Sequence, residues 1–401
     1  MKKTSDFKSY KKEIMEAARD DRLRLALTRA IKSFRANVKN ALEKFPHTVD
    51  LAQEVVRIKE KSIPQMEELA RRAVAAIEEN NGRGYIAGTA EEALKIIADL
   101  VGTGKVVVKG KTMTGEEIGL REHLEAKGNE VYETDLGEFI IQKMGSRPMH
   151  ITSPAIHVPR EDVARLFSKV LGQGITEESG ITEMVAAARE YLRDKFFQAD
   201  IGISGANVVA AETGTLFIIE NEGNVRLSTS VPPVHIALVG MEKLVPTISD
   251  AFKVAEVTWR YANYTIPSYV SLISGPSKTG DIEKVTTYGA HGPKEFHVIF
   301  LDGGRTRLAK HPRLMEALYC LRCGACLYEC PVFGVTAGHF GDKYFAGIGA
   351  VWAAIVNEDP EKAASIAYTC LTCGRCKQRC PVDIDIPEMI IELRKLLAEG
   401  E

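Results

Sequence analysis

Two stretches of the chain share one cysteine spacing, and this repeat decides the character of its C-terminal part. The first is Cys320-Leu-Arg-Cys-Gly-Ala-Cys-Leu-Tyr-Glu-Cys-Pro331, and the second is Cys370-Leu-Thr-Cys-Gly-Arg-Cys-Lys-Gln-Arg-Cys-Pro381. All eight cysteines of the 401-residue chain lie in these two stretches. Cysteines grouped in this way in a reducing compartment usually serve metal or redox chemistry. The repeat therefore predicts a metal-binding tail.

The spacing of each stretch, C-x₂-C-x₂-C-x₃-C-P, is that of bacterial ferredoxin motifs. In two-cluster proteins the first three cysteines wrap one cluster, and the fourth, about one helical turn further on, ligates the other cluster. We therefore predict two [4Fe–4S] clusters with exchanged fourth ligands. The first set is Cys320, Cys323, Cys326 and Cys380, and the second set is Cys370, Cys373, Cys376 and Cys330.

Zinc is the main alternative for these cysteines. Zinc sites usually pair two C-x₂-C units or include histidine, and they close at four ligands. Two complete four-cysteine motifs that both end in Cys-Pro favour iron–sulfur clusters. The 39 residues between Cys330 and Cys370 are too many for a compact ferredoxin hairpin and indicate a helical ferredoxin-type module.

Composition excludes several classes of protein. Fifty-two basic and 54 acidic residues give a formal net charge of −2, which argues against a nucleic-acid binder. The longest apolar stretch, Tyr344–Val356, is 13 residues long, whereas a membrane-spanning helix needs about 20. The N-terminus, beginning Met1-Lys2-Lys3, lacks the apolar core of a signal peptide. We therefore expect a cytoplasmic chain without a membrane span.

Patterning divides the chain into three predicted parts: an N-terminal helical region at 1–80, an α/β domain at 81–302 and a helical dicluster domain at 303–401. In the first part, apolar residues such as Leu23, Leu27 and Phe34 recur at helical spacing. That part carries 18 basic and 13 acidic residues. The excess is explained either by a solvated helical surface or by an arm that docks an acidic partner.

The middle part alternates short strands with helices, which predicts an α/β fold with a mostly parallel sheet. Thr114 and Glu117 have the spacing of a capping box, which predicts one helix from there to Lys127. Further strands are predicted at 201–203, 215–219, 234–239, 269–274 and 296–301.

Several motifs of the middle part resemble the LUD domain. They are Lys-Gly-Lys-Thr-Met-Thr-Gly-Glu-Glu-Ile-Gly at 109–119, Glu-Thr-Asp-Leu-Gly-Glu at 133–138, Gly-Ala-Asn-Val-Val-Ala-Ala-Glu-Thr-Gly at 205–214, Ser-Gly-Pro-Ser-Lys-Thr-Gly-Asp-Ile-Glu at 274–283 and His-Gly-Pro at 291–293. With the cysteine repeat, the chain from about residue 50 onward resembles the LutB/LldF family of lactate-utilisation iron–sulfur proteins. The resemblance implies a NagB/CoA-transferase-like sheet domain. It also implies a non-catalytic or co-catalytic subunit of a complex that oxidises L-lactate to pyruvate, with a CCG-type cysteine-rich subunit and a small LUD subunit as partners.

Two lysines of the LUD-like part are candidates for binding an anion. Lys109 and Lys111 follow a buried strand and precede a helix N-terminus, where backbone amides and the helix dipole favour negative charge. Two surface lysines at a strand end explain the pattern equally well. Asn207 and Glu212 are predicted at one edge of the sheet, where open α/β sheets bind ligands. Glu212 is either a catalytic carboxylate or part of a structural turn.

A second candidate for anion binding is Ser277-Lys278-Thr279, which follows a predicted strand. Backbone amides of such a turn can cradle a phosphate or a carboxylate, although glycine and proline alone also explain a tight turn here.

The leading functional hypothesis is an electron-transfer subunit in lactate oxidation. Iron–sulfur clusters carry single electrons and cannot accept a hydride, and no convincing flavin or nicotinamide fingerprint is present in the sequence. Two alternatives stay open at this point. One is a dicluster adaptor for another flavin-dependent oxidoreductase, with a flavoprotein as partner. The other is a CoA-transferase-like enzyme that uses Glu212 as nucleophile.

Overall fold

The computed structural model describes residues 4–171 and 174–399. Four helices come first, and the second of them buries Leu23, Leu27 and Phe34 on one face, as their spacing predicts. A short 3-10 helix, Ile63–Gln65, joins the third helix to the fourth. The helices are α1 Thr4–Arg19, α2 Asp21–Lys44, α3 His47–Ser62 and α4 Met66–Glu79.

A six-stranded parallel sheet forms the centre of the molecule, in the order β1-β12-β7-β4-β2-β3. Its inner strands are continuous apolar runs because helices cover both faces of the sheet. The strands are β1 Arg83–Ala87, β2 Val106–Lys109, β3 Glu130–Glu133, β4 Ile201–Ser204, β7 Val234–Gly240 and β12 Glu295–Leu301. The α/β fold class is thus confirmed.

A second sheet of four strands, ordered β8-β5-β6-β9, is largely antiparallel. Two of the predicted strands belong to it, so the sheet system is less uniformly parallel than the sequence suggests. A two-stranded hairpin completes the β structure. These strands are β5 Val208–Ala210, β6 Thr215–Glu220, β8 Leu244–Val245, β9 Tyr269–Ile273, β10 Lys278–Thr279 and β11 Thr287–Tyr288.

The helices between these strands are α5 Ala90–Val101, α6 Met113–Glu117, α7 Leu120–Ala126, α8 Leu136–Met144, α9 Arg160–Val170, α10 Ile181–Gln198, α11 Asn224–Ser230 and α12 Ile248–Tyr261. The prediction of one helix from Thr114 to Lys127 is wrong. Thr112 caps α6, and Gly119, with a φ of 65°, separates α6 from α7. The predicted capping box does not form because Glu117 binds Arg305 instead.

The C-terminal part consists of short helices around the cysteine stretches and three longer ones. They are α13 Arg305–Ala309, α14 Ala325–Glu329, α15 Phe333–Thr336, α16 Ala346–Ile355, α17 Pro360–Thr369, α18 Arg375–Arg379 and α19 Ile386–Glu399. Their apolar residues share one continuous core with the second sheet and with α2–α4. Within the described ranges, none of the helices is long and apolar enough to cross a membrane.

Candidate metal centre

The two cysteine stretches fold into loops with the same backbone pattern. Arg322 and Thr372 occupy equivalent positions and have positive φ angles of 60° and 50°. The glycines two residues further on, Gly324 and Gly374, also lie in the left-handed region, at 78° and 80°. A non-glycine residue with positive φ is strained, and such strain is concentrated at ligand-binding sites. In each loop these positive φ angles accompany a tight turn, and the first three cysteines of the loop line one cavity.

The first loop borders a cavity with ≈ 560 Å³ of space, open solvent included, together with a cysteine of the second stretch. Cys320, Cys323, Cys326 and Cys380 all line this cavity. The other lining residues are mostly apolar, for example Ile348 and Trp352. The lining thus contains the four thiols that the sequence assigns to the first cluster.

The second loop encloses a neighbouring cavity of ≈ 430 Å³. Its lining includes the complete second predicted set, Cys370, Cys373, Cys376 and Cys330. Cys326 and Ile348 line both cavities, so the two sites share a wall. The assignment of individual ligands stays a prediction, but the four-thiol lining of each cavity fits it.

The chemistry of the thiols also fits a metal cluster. Burial raises the pKa of both Cys323 and Cys376 to about 12, so these thiols would keep their protons without a nearby cation. Iron supplies that positive charge when a cluster binds. In the part of the chain that the structure describes, no three or more Cys, His, Asp or Glu side chains form a group that could hold a single metal ion. The thiols surround the two cavities instead.

A buried charge network fixes the first loop to the parallel sheet. Arg305 Nε donates to Glu242 Oε2 at 2.5 Å, and Arg305 also holds both oxygens of Glu117. Arg322 Nη2 donates to Glu242 Oε1 at 3.3 Å, and its guanidinium lies 3.9 Å from the centre of the Trp352 ring. Burial alone would raise the pKa of Glu242, but the two arginines lower it to about 2. The carboxylate therefore stays ionised and ties the loop to the end of β7.

A third and larger cavity, here called the edge cavity, lies at the carboxyl ends of β2, β4 and β7. It has ≈ 1150 Å³ of space that includes open solvent, and its lining includes Lys111, Asn207, Glu222, Trp259 and Arg322. Open α/β sheets bind ligands at this edge. The structure therefore brings together two of the predicted anion-binding residues, Lys111 and Asn207.

Lys109 does not line the edge cavity. Its Nζ is buried and lies 2.8 Å from Glu133 Oε1 and 3.1 Å from Glu116 Oε1. Burial would lower the pKa of Lys109, but these carboxylates raise it above its usual value. The Lys109 ammonium thus has its charge partners within the protein.

The remaining predicted site residues lie elsewhere. Glu212 is exposed, and its Oε1 accepts a hydrogen bond from the Ile248 amide at 2.7 Å, at the start of α12. Ser277, Lys278 and Thr279 belong to the hairpin of β10 and β11, and none of them lines the edge cavity. The catalytic role of Glu212 and the anion-binding role of 277–279 stay predictions.

Sequence reasoning missed most residues of the edge cavity, among them Arg322, Lys243 and Trp259. Arg322 carried a usable signal, because the first stretch has an arginine where the second has Thr372. Lys243 and Trp259 reach the cavity through tertiary packing, and no local pattern marks them.

Comparison with known proteins matches two parts of the chain. A family model described as the LUD domain matches residues 70–301, and one described as a 4Fe-4S dicluster domain matches residues 316–384. A lactate utilization protein B of Shouchella clausii is 34% identical over 398 residues, which cover 97% of this chain and 81% of that protein. An uncharacterized electron transport protein, YkgF, of Escherichia coli is 31% identical, with coverage of 97% of this chain and 80% of its own.

Among solved structures, that of a DUF162 family protein from Deinococcus radiodurans covers 59% of this chain and 98% of its own. It is 15% identical and has a TM-score of 0.30, too low to support an argument about the fold. The sequence matches confirm the predicted family and the two [4Fe–4S] clusters as cofactors. The chain therefore belongs to the LUD-domain family, among the iron–sulfur lactate-utilisation proteins that lactate utilization protein B represents.

Proposed function

We propose that the chain is an electron-transfer subunit of a complex that oxidises L-lactate to pyruvate. The observation that carries the proposal is the pair of four-thiol cavities with a shared wall, because clusters so placed are direct neighbours. The names of its relatives support lactate as the substrate of the complex and electron transport as the function of this chain. When bound, each cluster accepts or donates one electron at a time.

The surroundings of the two loops support a direction for the relay. Arg322 lines both the first cysteine cavity and the edge cavity, so the first cluster site adjoins the carboxyl edge of the sheet. In the second loop Cys373 is exposed, and so is the neighbouring Leu371. Electrons would therefore enter at the first cluster and leave from the second to a partner.

Charge around the second loop supports an acidic docking partner. Lys32, Arg35 and Arg375 line a surface groove that includes Cys330, the fourth thiol of the second set. Glu329 lines the groove too and pairs with both arginines, so the groove keeps a smaller excess of positive charge. Complementary charge raises association rates more than it raises affinity, which suits a redox partner that must also dissociate. The CCG-type subunit and the small LUD subunit are the candidate partners. A flavoprotein takes that place in the adaptor alternative.

The oxidation of L-lactate to pyruvate releases two electrons and two protons. A cluster cannot accept a hydride, so the group that takes the electron pair belongs to the assembled complex rather than to the cluster sites of this chain. The thiol cavities are walled by apolar residues such as Ile348, Trp352 and Ile386, which keep water away from the electron path.

The test is anaerobic purification of the assembled complex, addition of L-lactate, and observation of the clusters by EPR. We expect both clusters to become reduced by L-lactate, with D-lactate as the matched control. Clusters that stay oxidised with L-lactate, yet are reduced by dithionite, would contradict the proposal. Reduction only through an added flavoprotein donor would favour the adaptor alternative.

A further inference from the structure

We propose that the edge cavity binds a small carboxylate of the 2-hydroxy or 2-oxo acid class, in contact with the arginine of the first cysteine loop. The proposal rests on the proposed function only in naming the class of acid. The binding site itself follows from hydrogen-bond donors that the fold leaves without acceptors.

Three residues on the cavity wall have buried N–H groups that find no acceptor among the described residues. They are Lys111 through Nζ, Trp259 through Nε1, and Arg322 through Nε and Nη1. The Arg322 side chain is only 9% exposed. Burying a donor without a partner destabilises the protein, and more strongly when the donor is charged. Because all the unpaired groups on this wall are donors and two residues are cationic, the missing partner is an anionic acceptor.

The carboxylates on the same wall already have partners. Glu220 accepts hydrogen bonds from the amides of Val225 and Arg226, at 2.8 Å each. Glu222 accepts from the Leu136 amide at 3.1 Å. Asp135 caps α8 through the Glu138 amide. These acids bind backbone amides at helix ends, and none of them lies within hydrogen-bond distance of the unpaired donors.

Protonation of one acid reduces its repulsion of an anion. Burial, with the nearby Asp135 adding to it, raises the pKa of Glu222 to about 7. A substantial fraction of Glu222 is then neutral at neutral pH. The cavity thus presents unpaired cations opposite acids that are capped or partly protonated.

The shape and chemistry of the wall favour an organic carboxylate over an inorganic anion such as phosphate. A guanidinium presents a planar pair of N–H groups that matches a carboxylate. Apolar side chains, among them Ile219 and Val225, line the cavity and can contact the carbon skeleton of an organic acid. Asn207 also lines it, with its side-chain oxygen held by the Ile219 amide at 2.9 Å. Its NH₂ group, which donates to nothing in the described ranges, suits the 2-hydroxy or 2-oxo oxygen.

Arg322 links this site to the first cluster. Its guanidinium is always protonated, and the side chain lines both the first cysteine cavity and the edge cavity. One edge of the guanidinium lies beside Cys320 while the residue also lines the edge cavity. Occupancy of the cavity should therefore change the electrostatic surroundings of the first cluster and leave the second unchanged.

The experiment uses the cluster-loaded full chain under anaerobic conditions. Isothermal titration with pyruvate, L-lactate and inorganic phosphate measures binding, and EPR of the dithionite-reduced protein measures the effect on each cluster. We expect saturable binding of pyruvate or L-lactate and a change in the signal of the first cluster only. Absence of saturable carboxylate binding, or binding of phosphate alone, would overturn the proposal.

Variants test the site itself. Lys111→Met removes one unpaired donor and should weaken carboxylate binding about tenfold or more, since a charged hydrogen bond contributes about 1.5–3 kcal/mol. Trp259→Phe should weaken it less, and Arg322→Lys should weaken it and abolish the EPR response. Lys95→Met, at an exposed position on α5, is the matched control.

Iron content of every variant verifies that the fold and both clusters are retained. Affinity within twofold of wild type in both Lys111→Met and Arg322→Lys would contradict the proposal. Because binding is measured without turnover, a failure here leaves electron transfer through the clusters intact. Conversely, if L-lactate does not reduce the clusters in the complex, the proposed function fails but the measured carboxylate binding is unaffected.

Discussion

The two cysteine loops have the same backbone and opposite surroundings. In the first, the helix that follows, α14, buries Ala325, Leu327 and Tyr328. In the second, the equivalent helix, α18, buries none of its residues and reads Arg-Cys-Lys-Gln-Arg. The spacing of the cysteines therefore sets the cluster geometry, while the residues between them decide whether a cluster faces the protein interior or its surface.

The two sites also differ in burial and exposure. The first is attached through Arg322 and Glu242 to the end of a central strand and adjoins the edge cavity. Around the second, Tyr368 and Leu371 are 56% and 61% exposed. A duplicated motif thus supplies an inner and an outer thiol site, which in the proposed relay would be the entry and exit points of the electrons.

The largest expected effect comes from substituting the fourth cysteines, which the two loops are predicted to exchange. Cys380→Ser should remove the first cluster and Cys330→Ser the second, each with loss of half the bound iron, because each fourth cysteine serves the opposite loop. Iron analysis and EPR of the reduced variants identify which cluster is lost. Loss of the cluster of the same stretch would contradict the exchange.

The next effect is on the stability of the inner site. Glu242→Gln leaves Arg305 and Arg322 without their shared buried carboxylate, which should cost about 3–5 kcal/mol in the free energy of unfolding. Denaturant titration measures it. Glu388→Gln, which removes the exposed partner of Arg313, is the matched control and should cost less than about 1 kcal/mol. Equal costs would mean that the network does not hold the first loop.

Exposure should also make the outer cluster easier to remove. A chelator with mild oxidant should destroy the second cluster several-fold faster than the first, since Cys373 is exposed while Cys323 is buried. Iron release followed with EPR at intervals separates the two rates. A single common rate, or faster loss of the first cluster, would contradict the assignment of inner and outer sites.

The smallest effect concerns reduction potential. Arg322→Thr gives the first loop the residue of the second and removes a cation beside Cys320, which should lower the midpoint potential of the first cluster by tens of millivolts. Redox titration by EPR measures both clusters in one sample. The midpoint potential of the second cluster serves as the internal control and should not shift. An unchanged potential of the first cluster would show that Arg322 does not tune it.

Local patterns in the sequence predicted individual strands and helices whose side chains follow a regular period. The β-branched runs of β2 and β7 and the helical stripe of α2 carry their own signals. The direction of pairing does not, so strands 215–219 and 269–274 gave no sign of their antiparallel sheet. The helix predicted over 114–127 divides at Gly119, and its capping box does not form because Glu117 binds Arg305, which is 188 residues further along the chain.

The candidate site was predictable only where chemistry and spacing coincide. The cysteine spacing predicted the two thiol sets that line the two cavities. The local sequence could not distinguish Lys109 from Lys111. Only the tertiary structure, through the positions of β3 and α6, brings Glu133 and Glu116 close to Lys109 and not to Lys111. The edge cavity was predictable only through Lys111 and Asn207, because much of its wall is assembled from residues of β6, α12 and the first cysteine loop.

In the proposed relay, electrons pass from the inner cluster to the outer one. The most direct measurement adds L-lactate anaerobically to complexes that contain Cys323→Ser or Cys373→Ser, each verified to retain one cluster, and follows that cluster by EPR. We expect the first cluster to be reduced even when the second is absent, and the second to stay oxidised when the first is absent. Reduction of the second cluster at the wild-type rate without the first would contradict it.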